Sequence, residues 1–246
     1  MTTTERAALT PNLRRPALSA CALIGVGSVL SVVAMSHHPS AHSPDLRAML
    51  QEIAQFAGVS RTVHGGLIVL MALVFQGYWS LSRCLGFELE RVRTATIAHG
   101  LGVVCMLGAA VINGFALSEL AQRCATASDA TLEALRPVLA ASHALNQALA
   151  QCGTVAFSVA LLAWSSVLVG QRGLARAVGV FGLVVGVVPV IALVTERLEL
   201  DVRGMGAVVV AQGAWGVAVA AWMWRLRRSL AREATCSAQA DTHASS

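Results

Sequence analysis

Apolar residues in this chain fall in long blocks rather than in alternation. Six blocks approach the ~20 residues that carry a helix across the ~30 Å hydrocarbon layer of a bilayer. They lie at about 17–36, 65–85, 95–117, 148–170, 174–195 and 205–224. The pattern predicts an all-α integral membrane protein, a single bundle of six transmembrane helices over 17–224. A polar N-terminal segment, 1–16, precedes it. An arginine-rich and then small, polar tail, 225–246, follows it and is expected to be unstructured.

Between the first two blocks the pattern changes to that of a short amphipathic helix, about 45–57. Ser43-Pro44-Asp45 reads as its start, with a capping hydroxyl, proline at the first helical position and an acid in the first turn. Leu46, Met49, Leu50, Ile53 and Ala57 recur at helical spacing, and Gly58 is expected to stop the run. This element would lie on the outer membrane surface or cap the bundle. The stretch 118–147 is alanine-rich and helical on both sides of Pro137.

Composition agrees with the blocks. Only 13% of the residues are charged, against about 25% in a soluble domain. All 18 basic residues are arginine, and they are sorted by side. Arg6, Arg14, Arg15, Arg83, Arg91, Arg93, Arg172, Arg176, Arg225, Arg227, Arg228 and Arg232 fall on one face. Arg47, Arg61, Arg123, Arg136, Arg197 and Arg203 fall on the other. The richer face is the cytoplasmic one by the positive-inside rule, so both termini are expected inside. A bacterial inner membrane is the expected location. The arginines flank spans, so their charge gives no reason to invoke nucleic acid. Arg14-Arg15, the first apolar block and Ala34-Met35-Ser36 also fit a cleaved signal peptide, an alternative in which His37 becomes the N-terminus. The six cysteines show no CxxC spacing, and only Cys124 and Cys152 could face each other across the outer side.

Polar groups inside the blocks are the candidates for function. In the fourth block His143, Gln147, Gln151, Thr154, Ser158 and Ser165 form one helical stripe. Such a stripe either walls a polar cavity or bonds to neighbouring helices. By depth, His37, His38, His42, His64, Asn113, Asn146, Glu196 and Gln212 all approach the same outer side. His64, Asn113, His143, Gln147 and Gln151 are the candidate ligand-binding residues. His37, His38, His64, His143 and Glu196 are candidate metal ligands, since imidazoles with a carboxylate suit zinc or copper. His64 and His143 at similar depth could instead hold a haem. His99, on the inner side, has no histidine at its depth to pair with.

Absences narrow the classes. No Asp, Glu or Arg lies near mid-membrane, which counts against ion-coupled transport. No phosphate-binding loop opens a helix and no nucleophile elbow occurs. The leading expectation is a non-enzymatic protein whose outward-facing polar pocket binds or passes a small ligand or metal, with no cofactor required. The alternatives are a metal- or haem-dependent enzyme acting on a lipid or quinone, and a structural subunit whose polar groups only join helices. Membrane lipid is the expected surrounding partner, and Gly182 with Gly186 offers a close-packing face for a homodimer or for the chain's own helices.

Overall fold

A computed structural model describes residues 16–39, 43 and 45–244, with side chains to Arg232. The N-terminal segment, His42 and Pro44 lie outside the described residues. The described residues form eight α-helices: α1 Leu18–Ser36, α2 Leu46–Gln55, α3 Ala57–Leu85, α4 Glu90–Val111, α5 Leu117–Cys124, α6 Asp129–Val169, α7 Leu174–Val194 and α8 Val202–Ala244. A five-residue π-helical turn, Ile112–Ala116, joins α4 to α5. Six of the helical segments are long and apolar enough to cross a membrane. The chain is a multi-pass, all-α membrane protein.

The spans form a closed ring in the order α1, α3, α4, α6, α7, α8 and back to α1, each packed on its neighbours. α1 is therefore a wall of the bundle. The Arg227 guanidinium donates to the Pro16 carbonyl at 3.1 Å, so the start of α1 and the arginine-rich stretch of α8 share one face. Val194, Ile97, Val104, Val69 and Val26 are largely exposed on the outside of the ring, where apolar side chains meet lipid tails.

One end of the ring is solid. Ile24, Leu81, Leu85, Val92, Trp164, Leu168, Trp215, Val219 and Met223 fill it. The opposite end is covered by a small cap, in which Leu50 of α2 packs on Ala121, Cys124 and Leu132. Arg47 and Asp129, 2.6 Å apart, and Arg61 and Glu119, 2.7 Å apart, pin the cap at its edges. Cys124 and Cys152 are both free thiols.

Several boundaries differ from the expected ones. Asp45 rather than Ser43 caps α2: its carboxylate accepts from the Ala48 N–H at 2.8 Å. Gly58 does not end a helix. The Ser60 N–H donates to the Phe56 carbonyl at 2.8 Å, so α3 starts at Ala57, well before residue 65. An interior glycine costs a helix only ~1 kcal/mol, which continued hydrogen bonding outweighs. α6 likewise runs unbroken through Pro137 from an Ser128 cap. His143 and Gln147 thus stand on the same rigid rod as the membrane span. α8 begins at Val202, where the Asp201 carboxylate accepts from the Gly204 N–H at 2.7 Å. It does not stop at Trp224 but continues as helix to Ala244, because Arg, Ala, Leu and Gln in that stretch are good helix formers.

Candidate functional site

The ring is not filled along its whole length. A cavity of about 1260 Å³ opens below the cap and is lined by α1, the turn after it, α2, α3, α4, α6 and α8. On α3 the lining extends from Ser60 to Tyr78, and along α4 and the π-helical turn from His99 to Leu117 at the start of α5. At 1.5 Å per residue each stretch is about 27 Å long, most of a bilayer's apolar thickness.

The lining is graded by depth. The capped end carries His38, His64, Asn113, His143, Asn146 and Gln147, together with Arg136, Asp201 and Arg203. Below them Leu67, Met71, Val74, Val103, Met106 and Val209 form an apolar sleeve. The floor is aromatic. Tyr78 stacks on Trp164 at 5.0 Å and on Trp215 at 5.8 Å, with interplanar angles of 17° and 15°. His99 sits against Tyr78 at 4.7 Å and Phe157 at 5.0 Å. Its Nδ1 is buried with no hydrogen-bond partner among the described residues. The floor thus presents one imidazole edge and one phenol, with the Ser28 hydroxyl and the buried Gln212 amide nitrogen, unpartnered among the described residues, as further polar groups of the lining.

At the capped end two histidines meet. Nε2 of His38 and Nε2 of His64 are 3.0 Å apart. His64 is buried, and its Nδ1–H donates to the Ser60 carbonyl at 2.8 Å. His38 Nδ1–H donates to the Pro39 carbonyl at 2.8 Å. Burial and the neighbouring His64 push the His38 imidazole below its ordinary pKa, which favours the neutral ring. The Asn113 amide nitrogen lies 3.5 Å from His64 Nε2.

The π-helical turn explains how Asn113 arrives there. An extra residue in one turn shifts the helix register, a device frequent at functional sites. Gly114, inside that turn, lets the backbone lie directly on the His64 ring; a Cβ there would overlap the His64 Cβ and Cγ.

Of the five ligand-binding candidates, His64, Asn113, His143 and Gln147 line the cavity and Gln151 does not. Successive residues turn by about 100° around a helix. Gln151 is therefore about 80° away from His143, enough to leave the cavity face. Of the metal candidates, His38 and His64 come together, while His37 and Glu196 stand outside the cavity. His37 turns back on its own helix, where its Nδ1–H donates to the Val33 carbonyl at 2.9 Å. Glu196 adopts a left-handed backbone, φ 55°, where α7 ends. No group of three or more His, Cys, Asp or Glu forms a metal cluster among the described residues. His64 is paired with His38 rather than presented with His143 to a shared haem.

The lower part of the polar stripe serves packing. Thr154 donates to the Ala150 carbonyl at 2.9 Å, within its own helix. Ser165 faces Gly182, and the Ser158 carbonyl faces Gly186. The glycine face of α7 is thus occupied by this chain's own α6. Sequence reasoning passed over Tyr78, Arg136, Asp201 and Arg203. Tyr78 is the single tyrosine of the chain, the one signal that could have drawn attention to it.

Comparison with known proteins finds no protein-family model, no curated protein and no solved structure that matches this chain.

Proposed function

We propose that the protein is a binder of an elongated amphiphile, taking its apolar chain into the sleeve and holding its polar end at the capped mouth. The observation that carries this reading is the grading of one continuous cavity. Charged and amide groups stand at one end, the walls below them are mainly apolar with Ser28, Ser31 and Gln212 as the polar exceptions, and an imidazole–phenol pair stands on an aromatic floor. A small hydrophilic solute would leave the sleeve wet and unpaired. A chain about 20 Å long reaches from His64 at the mouth to Tyr78 on the floor at 1.5 Å per residue, with ~25 cal/mol gained per Å² of apolar surface withdrawn from water. Among the described residues no Asp, Glu or Arg lies at mid-depth to move an ion.

The membrane we assign is the bacterial plasma membrane, with both termini and the arginine-rich face in the cytoplasm. The mouth then opens toward the outer leaflet. This orientation rests on the distribution of arginine between the two faces, and a C-terminal alkaline-phosphatase fusion that is inactive in whole cells would support it.

Native mass spectrometry of delipidated protein titrated with a long-chain fatty acid tests the binding. One molecule bound per chain is expected, and the double variant Val103→Phe, Val209→Phe should abolish it by filling the sleeve from opposite walls. Absence of binding, or equal binding to the filled variant, overturns the reading and leaves a structural subunit.

A further inference from the structure

His38 and His64 approach each other with the same edge forward. In both rings Nδ1 lies 2.8 Å from a backbone carbonyl, Pro39 for one and Ser60 for the other. A carbonyl can only accept, so each Nδ1 carries its hydrogen. In a neutral imidazole the other nitrogen is then a bare lone pair. The two lone-pair nitrogens face each other at 3.0 Å. Left as they are, they repel. A cation between them turns the same geometry into an attraction.

Orienting an imidazole by giving its second N–H to a backbone carbonyl is how proteins fix metal-binding histidines. The rings are also held from behind. Gly114 presses on the ring of His64, and Pro39 anchors the turn that bears His38. Asn113, 3.5 Å from His64 Nε2, brings an amide to the same point.

We propose that His38 and His64 bind one zinc- or copper-type ion at the mouth of the cavity, with the Asn113 amide as the adjoining polar group. A zinc ion ~2.0–2.1 Å from each nitrogen at a tetrahedral angle places the nitrogens about 3.3–3.4 Å apart. The rings need to separate by only a few tenths of an ångström. No third histidine, cysteine or carboxylate joins them among the described residues. The remaining coordination positions therefore face the cavity, where water or an oxygen of a bound molecule fills them. This site does not depend on the amphiphile reading.

The test uses tag-free protein in mild detergent, stripped with chelator and titrated with Zn²⁺ and separately with Cu²⁺ by calorimetry. Elemental analysis after desalting gives the stoichiometry. One ion per chain is expected. His38→Ala and His64→Ala should each weaken binding at least tenfold, while His37→Ala, outside the cavity, leaves it unchanged. His38 lies in the turn outside α1, so its variant keeps the test valid if His64→Ala fails to fold. The proposal is overturned by metal-free protein that takes up neither ion. It is overturned equally by uptake that survives both substitutions, or by ¹⁵N spectra showing a proton shared between the rings that neither ion displaces. Amphiphile binding is measured on the stripped protein, so failure of one result leaves the other standing.

Discussion

Substitution of Ser82 by alanine gives a test of what holds the cavity floor. Trp164, Ser82 and Thr96 come from α6, α3 and α4, and their relative exposures are 0%, 0% and 7%. The Thr96 hydroxyl donates to the Val92 carbonyl at 2.8 Å. Its single hydrogen is thereby committed, so in the 2.7 Å contact between Ser82 and Thr96 the serine is the donor. Trp164 Nε1–H in turn donates to Ser82 Oγ at 3.0 Å. The result is one directed chain that ties three helices together beside Tyr78 and His99. Ser82→Ala leaves the indole N–H buried without an acceptor. Stranding a buried donor costs ~1–3 kcal/mol, and the upper end is trimmed in membranes, where measured side-chain hydrogen bonds reach only ~1.7. The expected loss is therefore about 1–2 kcal/mol. Trp164→Phe loses indole packing at a fully buried site, but it also removes the donor that Ser82 serves. In that background Ser82→Ala should cost less than about 0.5 kcal/mol, for a coupling of about 1 kcal/mol. Reversible unfolding in mixed micelles of rising SDS fraction, followed by far-UV circular dichroism, measures all four corners of the cycle. Additive losses would refute the directed chain and with it the account of how α3, α4 and α6 are locked.

Five further substitutions probe the glycine positions and the cap. Gly114→Ala drives a methyl into the His64 ring, so it should cost ~1–3 kcal/mol by overpacking and weaken zinc uptake, read in the same micelle unfolding and calorimetric titration. Gly182→Ala meets Ser165 Oγ and the Trp215 ring and should destabilise by a similar ~1–3 kcal/mol. Gly66→Ala, with nothing within 4 Å of its new methyl, should instead gain up to ~1 kcal/mol of helix propensity; equal effects of these two would sink the packing assignment of α7. In the cap, Arg47→Ala should cost under ~1 kcal/mol, because its partner Asp129 is solvated. Leu50→Ala should cost ~2–5 kcal/mol and raise hydrogen exchange along α2, since Leu50 is the side chain the cap closes on.

The sequence makes the number of spans legible because an apolar block of bilayer length has few other uses. It leaves the helix ends illegible for the same reason. Hydropathy reports where lipid begins, whereas α3 and α6 begin where hydrogen bonding begins, at Ala57 and Asp129. Depth alone was enough to assemble His64, Asn113, His143 and Gln147 at one end of the bundle. The pairing of His64 with His38 was not readable in this way. It requires a turn after α1 that folds inward and a π-helical turn that brings Asn113 and Gly114 onto the ring, and neither has a periodic signature. The floor was hidden more thoroughly. Tyr78 and His99 are isolated residues on two helices, and only the packing of α3 against α4 and α6 makes them neighbours. That packing also explains why the stripe on α6 divides. The residues nearest the outer end meet open cavity, while the Ser165 hydroxyl and the Ser158 carbonyl meet the glycines of α7. A stripe of polar residues can thus be pocket at one end and seam at the other, with the partner helix deciding where the change falls. The site belongs to the ring of helices rather than to any one of them. Substitutions that loosen the α3–α4–α6 seam should therefore disturb ligand and stability together, while changes at His38 should act at the mouth without loosening the bundle.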